Sequence, residues 1–156
     1  MPVICLTTGI RAPISLCFDL ARSVETHILS TAKTQEKAVG GVTSGLMGLN
    51  DEVTWEATHF GLRQRLTSRI TVLNRPLHFR DSMVRGAFAG FDHDHFFEHE
   101  EGITTMKDRF DYKSPLGILG KLADLLFLKR YMERLLRTRA EVIRQVAELT
   151  IQRSGD

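Results

Sequence analysis

The chain has 156 residues, of which 42% are hydrophobic and 26% charged, and its formal net charge is +2 at pH 7. These values predict one globular domain, residues 1–156, large enough to enclose a cavity. The weak charge, without basic clusters among aromatic residues, argues against nucleic-acid binding, and the apolar runs are too short for a membrane span. Two cysteines and an amino terminus unlike a signal peptide favour a cytoplasmic protein.

The first third of the chain predicts a strand, two short helices and a second strand. Pro13 suits the first turn of the first helix, because apolar residues at helical spacing follow it. A glycine-rich segment at 40–48 comes next and is expected to form a mobile loop with Leu46 and Met47 at its apolar tip. The boundaries expected for the four elements are 3–8, 13–21, 27–31 and 37–39.

From Glu52 to Tyr112 apolar and polar residues alternate, which predicts antiparallel strands with one buried face. Gly61, the 74–76 turn and the 100–102 hairpin separate the runs. The residues expected to point inward are Val53, Trp55, Ala57 and His59; Leu66, Ser68, Ile70 and Val72; Leu77, Phe79, Asp81 and Met83; and Thr104, Met106, Asp108, Phe110 and Tyr112.

Residues 91–99 contain three of the six histidines. In a strand, Phe91, His93, His95, Phe97 and His99 would share one face, and the residues between them would lie on the other face. Imidazoles between phenylalanines are typical of a buried wall with a few placed polar groups, as in ligand pockets.

The parity of the predicted hairpin places Asp108 opposite one of these histidines. The two registers that are consistent with the turn set either His93 or His95 across from it, at about 5 Å between Cβ atoms. Such a carboxylate fixes the tautomer of the imidazole and raises its pKa.

The last third of the chain predicts one long helix. Ser114 is expected to be its N-cap and Pro115 its first residue. An apolar stripe follows over some ten turns, with basic residues on the solvated face. The stripe comprises Leu119, Leu122, Leu126, Met132, Leu135, Leu136, Val142, Ile143, Val146 and Leu149, and the basic face comprises Lys129, Arg130, Arg134, Arg137, Arg139 and Arg144.

Several segments resemble bacterial members of the START-like, or SRPBCC, superfamily, and the similarity extends over nearly the whole chain. One difference is Gly86-Ala87-Phe88, where relatives usually carry Gly-Pro-Phe, and this should loosen a turn without removing any chemistry. The resembling segments are 10–13, 17–20, 45–49, 53–55, 59–61, 86–88, 91–96, 104–108 and 115–117.

The resemblance implies an α+β helix-grip fold. A curved antiparallel sheet of six to seven strands would wrap around the long C-terminal helix, with two short helices after the first strand and a cavity inside. Relatives bind or process hydrophobic small molecules such as lipids, polyketides and quinones. We therefore expect a hydrophobic small-molecule partner and predict the following ligand contacts: Trp55, His59, Asp81, Met83, Phe91, His93, His95, Phe97, Met106 and Phe110.

The sequence leaves three uses of the histidine and aspartate pair open. His95 or His93 with Asp108 could be the acid–base catalyst of a polyketide cyclase or dehydratase, could anchor a ligand oxygen, or could only position strands. A protein-interaction module without a ligand is a further alternative, which a solid core would support.

A metal ion is a separate question. The His-x-His step suits one ion, but further ligands would have to come from His59, Asp81 or Asp108. The family resemblance offers no metal precedent, so we predict no metal and no cofactor. The sequence does not predict an oligomeric state.

Overall fold

The computed structural model describes residues 2–155. Seven strands form one curved antiparallel sheet in the order β1-β7-β6-β5-β4-β3-β2, so the predicted α+β architecture is confirmed. In chain order the elements are β1 (Val3–Ile10), α1 (Ile14–Ala21), α2 (Val24–Ser30), a 3₁₀ turn (Ala32–Thr34), β2 (Lys37–Gly41), β3 (Glu52–His59), β4 (Leu62–Asn74), β5 (His78–Arg85), β6 (Gly90–Glu100), β7 (Ile103–Lys113), α3 (Gly117–Ala123), a π-helical segment (Asp124–Leu128) and α4 (Lys129–Ser154).

The β6–β7 hairpin has the tight two-residue turn that favours a fixed register. Glu101 and Gly102 have φ angles of 50° and 78°, as a type I′ turn requires. With this turn, His95 lies opposite Asp108. Of the two registers that the sequence allowed, the structure adopts this one.

A β-bulge between β4 and β5 corrects the predicted inward face of β4. Ile70 pairs with Asp81, and the register then shifts between Ile70 and Val72. The extra residue, Thr71, reverses the alternation, so Leu73 and not Val72 packs against the core.

The main core lies between the sheet and the helices α1 and α4. Phe18 of α1 is fully buried, and its ring lies 5.3 Å from the rings of both Phe79 and Phe97 in edge-on contacts. Ala140 and Ala147 of α4 are also buried here, and their small side chains let the helix backbone approach the core closely.

The segment predicted as a mobile loop is tied to the helices. Met47 is only 6% exposed, and its amide and carbonyl groups hydrogen-bond to the backbone and guanidinium of Arg22 at 3.1 and 3.0 Å. The amide of Gly45 donates to the Glu25 carboxylate at 2.8 Å. Only Leu46 of the predicted tip is exposed.

The start of the C-terminal helix differs from the prediction. Its N-cap is Leu116, in the left-handed conformation with φ 65°, and Ser114 makes no capping bond. The Ser114 hydroxyl donates instead to the carboxylate of Asp124, which also accepts from the Tyr112 hydroxyl at 2.8 Å. Asp124 thus ties the π-helical segment to the end of β7.

The predicted apolar stripe is buried or half-buried only from Leu128 to Val146. Leu119 and Leu122 of α3 are 68% and 51% exposed, because α3 packs mainly against the segment that follows it and does not lie on the sheet. Leu126 of the π-helical segment and Leu149 near the end of α4 are also exposed. Leu128, Met132 and Leu136 do pack against the sheet, in a second core cluster with Ile4, Leu6, Phe110 and Tyr112. Within residues 2–155 no helix is long and apolar enough to cross a membrane.

A partly exposed ion pair between α1 and the β4–β5 turn gives a prediction about how the stability of the fold depends on pH. Asp19 of α1 accepts hydrogen bonds from Arg75, in the β4–β5 turn, at 2.8 and 3.1 Å, and from Arg22 at 2.7 and 3.0 Å. Hydrogen bonding to Arg75 is the main reason that the pKa of Asp19 lies below its usual value, although partial burial opposes the shift. Asp19→Asn should therefore lower the free energy of unfolding by about 0.5–1 kcal/mol at pH 7.

The difference should be present above about pH 4 and should disappear as the pH falls through the depressed pKa of the folded state. Urea denaturation at pH 7 and at pH 3 measures it, with the exposed Glu98→Gln as the control. An equal difference between wild type and Asp19→Asn at both pH values would contradict this assignment.

Candidate ligand-binding site

A cavity of about 960 Å³ lies between the sheet and the C-terminal helix. This volume is at the upper end of the range for small-molecule sites. Its walls are mainly apolar and come from β3 to β7 on one side and from α2 and α4 on the other. Six of the predicted ligand contacts line it: Trp55, His59, Asp81, Phe91, His93 and Phe110.

The other four predicted contacts lie outside this lining. Phe97 and Met106 belong to the main core, because α1 covers the hairpin end of β6 and β7. His95 is fully buried behind the cavity wall. Met83 is half-buried just beyond the last β5–β6 pair, which joins Ser82 to Asp92.

Four polar side chains meet at the centre of the sheet, at the inner wall of the cavity. His95 Nε2 lies 3.1 Å from Asp81 Oδ1, and His93 Nδ1 lies 3.9 Å from the same oxygen. The other nitrogen of each ring faces Asp108: His93 Nε2 lies 3.2 Å and His95 Nδ1 lies 2.7 Å from its Oδ1. The two imidazoles are therefore held between two carboxylates.

These contacts follow from the alternation of three neighbouring strands. Asp81 pairs with His93, and His95 pairs with Asp108, so all four side chains share the inner face of β5, β6 and β7. The sequence predicted that Asp108 would face one histidine, whereas it contacts both. The lone inward carboxylate of Asp81 has the histidine partner that its burial demands.

On the opposite face, a second contact locks β5 to β6 directly behind the cluster. Asp94 accepts two hydrogen bonds from the Arg80 guanidinium at 2.8 Å, and His78 Nε2 lies 2.7 Å from it. Asp94 points outward as predicted, yet it is buried beneath these two side chains. A bidentate pair of this kind fixes the relative position of the two strands.

Burial and neighbouring charge shift the pKa values of the cluster in different directions. Burial disfavours protonated His95, but the Asp108 and Asp81 carboxylates outweigh burial and raise the pKa of His95. Burial and the charge of His95 together lower the pKa of His93, against the pull of both carboxylates. The contacts with His93 and His95 hold the pKa of Asp108 well below its usual range despite burial.

Arg139 of α4 links the cluster to the helix, which corrects the prediction that it lies on the solvated face. Its side chain is 13% exposed, it donates to the Ala21 carbonyl at 2.6 Å, and its Nη1 lies 4.0 Å from Asp108 Oδ1. Arg139 also lines the cavity. It stands four residues after Leu135 and four before Ile143, so helical spacing could have placed it on the inward stripe.

A second polar group lies on the β3 side of the cavity. His59 Nδ1 and the Tyr131 hydroxyl are 2.7 Å apart, and burial lowers the pKa of His59. His27 stacks on Trp55 with ring centroids 4.0 Å apart, and its Nε2 lies 3.3 Å from Glu36. The sequence predicted Trp55 and His59 but missed the other three, because they come from helices and a turn with no local motif.

No protein-family model and no curated protein matches the sequence. Solved structures do match it over nearly its whole length. A protein from Thermus thermophilus has a TM-score of 0.71 at 20% identity, covering 91% of this chain and 97% of that chain. A START superfamily protein from Mycobacterium smegmatis has a TM-score of 0.71 at 9% identity, covering 95% and 98%. Ginseng major latex-like protein 151 from Panax ginseng has a TM-score of 0.67 at 12% identity, covering 94% and 97%.

These comparisons show the fold. The chain shares the fold of these proteins, which is the helix-grip fold that the sequence resemblance implied.

The cluster generates a stability prediction. Asp108→Asn removes the buried negative charge that faces His93, His95 and Arg139. The largely buried positive charge of Arg139 then loses its carboxylate partner. The free energy of unfolding should fall by about 3 kcal/mol. Urea denaturation at pH 7 measures the change, with the exposed Asp92→Asn on β6 as a control that should differ little from wild type. A loss below about 1 kcal/mol for Asp108→Asn would contradict the electrostatic account of the cluster.

Proposed function

We propose that this chain, acting as one domain over residues 1–156 in the cytoplasm, binds a hydrophobic small molecule in the cavity beneath α4. The observation that supports this proposal is the cavity itself: about 960 Å³ of mainly apolar space inside the domain. A hollow of this size forgoes dispersion contacts that a filled core would make, so a bound molecule would stabilise the fold.

The position of the polar groups supports a ligand with one polar end. Asp81, His93 and Arg139 reach the cavity at one place on its wall, and the surrounding surface offers aromatic and aliphatic contacts from Trp55 and Phe110. A carbonyl or hydroxyl oxygen at this wall would accept a hydrogen bond from Arg139, and a hydroxyl group would also donate to Asp81, while the apolar body fills the space towards β3. Lipid-, quinone- and polyketide-like molecules share this chemistry.

A solid core would have supported the alternative that the chain is a protein-interaction module without a ligand. The cavity argues against that alternative. The enzyme alternative requires turnover in addition to binding. Binding is therefore the property to test first.

Trp55 provides the assay, because it lines the cavity and is the single tryptophan of the sequence. Palmitate, menadione and emodin represent the three ligand classes. At least one of them should produce a saturable change in Trp55 fluorescence with a dissociation constant of about tens of micromolar or tighter. The absence of a saturable change with all three, in protein shown by denaturing mass spectrometry to carry no co-purified molecule, would contradict the proposal.

Ala57→Phe supplies the matched variant. Ala57 lies in the cavity wall between Trp55 and His59, so a phenyl ring there should fill part of the space and weaken binding at least about tenfold. The neighbouring Thr58→Phe places the same ring on the opposite face of the strand and should leave affinity within about twofold. Equal loss in both variants would indicate that the probe does not enter the cavity.

A further inference from the structure

Three possible metal-donor atoms lie close together in the cluster at the cavity wall. One oxygen of Asp81 and one nitrogen each of His93 and His95 all lie within 4.8 Å of one another. Two of these separations are 3.1 and 3.9 Å. Donor atoms around a tetrahedral Zn²⁺ lie about 3.4 Å apart, since each bond is about 2.1 Å long. The observed spacings lie on either side of that value.

Asp108 lies on the side of the two imidazoles opposite Asp81, which is where a supporting carboxylate lies in a metal site. It contacts the far nitrogen of each ring, at 3.2 Å for His93 and 2.7 Å for His95. The His95 contact is off the direction of a well-aligned hydrogen bond, so Nδ1 of this buried ring is left without a hydrogen-bond partner. In metalloproteins a carboxylate supports a ligand histidine through a hydrogen bond to the ring nitrogen that does not bind the ion, as Asp108 does here with His93 Nε2 at 3.2 Å.

We propose that Asp81, His93 and His95 bind one divalent first-row transition cation, with Asp108 and Arg139 as supporting residues. Two imidazoles and one carboxylate form the donor set used by catalytic zinc and non-haem iron sites. The sequence left Asp81 as one possible further ligand, but we predicted no metal because the family resemblance offers no metal precedent. The structure places Asp81 beside both histidines.

The ionic balance of the site accommodates a divalent ion. Coordination requires both rings to present a lone pair, so any proton on a coordinating nitrogen leaves to solvent as the cation enters. Two carboxylates and Arg139 then surround a +2 ion and two neutral rings, which leaves one net positive charge facing the cavity. That charge favours an anionic or strongly polarised ligand oxygen.

The open side of the site faces the cavity. Asp81 and His93 line the cavity, whereas His95 and Asp108 are buried behind it. A fourth coordination position would therefore point towards the proposed ligand and accept a carbonyl, enolate or phenolate oxygen. Only this last role rests on the proposed function, since cation binding itself needs no hydrophobic ligand.

Zn²⁺ titration of chelator-treated protein tests the site. We expect about one Zn²⁺ per chain, and visible absorption bands on substitution with Co²⁺. Asp81→Asn, which retains size at a position partly open to the cavity, should weaken Zn²⁺ affinity about 100-fold or more. Asp108→Asn should weaken it about 10- to 100-fold, as loss of a supporting carboxylate does. The exposed His99→Gln on the same strand is the control and should leave affinity unchanged.

Binding of less than about a tenth of an equivalent of Zn²⁺ would overturn the proposal. So would equal affinity of wild type and Asp81→Asn, because the metal would then be held elsewhere. Circular dichroism of each variant confirms that it is folded, and Asp81→Asn carries the test if Asp108→Asn does not fold. Trp55 fluorescence with the hydrophobic probes is measured on the same samples, so failure of the metal site and failure of ligand binding give separate results.

Discussion

The buried carboxylate of Asp108 is the constraint on which the rest of the site depends. An isolated carboxylate in this position would cost several kcal/mol of free energy, so the fold has to bring positive or hydrogen-bonding partners to it. It does so from two directions: His93 and His95 come from the adjacent strand, and Arg139 comes from α4 on the other side of the core. One interaction thus joins the sheet to the helix that covers it.

The contact between Arg139 and Asp108 helps to hold α4 over the cavity. Near Arg139 the helix is fixed by its ion pair with Asp108 and by its bond to the Ala21 carbonyl. Beyond Arg139, Ala140, Ile143 and Ala147 pack tightly into the core. Before it, Met132 packs against the second core cluster and, together with Leu135, lines the cavity. The polar contacts of Arg139 therefore supplement apolar packing that the cavity interrupts.

The sequence was sufficient for the parts of the site that depend on strand alternation. Phe91, His93 and Asp108 could be placed on one face because a period of two and a tight hairpin turn are local properties. The bulge at Thr71 could not be predicted, since an extra residue is tolerated only where the neighbouring strands accept it. Arg139 was assigned to solvent because charged residues are rarely buried, although its spacing from Leu135 and Ile143 indicated otherwise. The exposed first turns of the C-terminal helix were missed because periodicity shows a face without showing what covers it.

The proposed binding of a small molecule requires that Asp81 and His93 open into an accessible cavity beneath α4. A crystal structure with a bromine-labelled hydrophobic phenol tests it most directly, because anomalous scattering locates the bromine without reference to a starting structure. We expect one strong peak inside the domain, with the phenol oxygen directed at Asp81, His93 and Arg139. A peak confined to the outer surface, or leucine and phenylalanine side chains filling the space beneath α4, would contradict it.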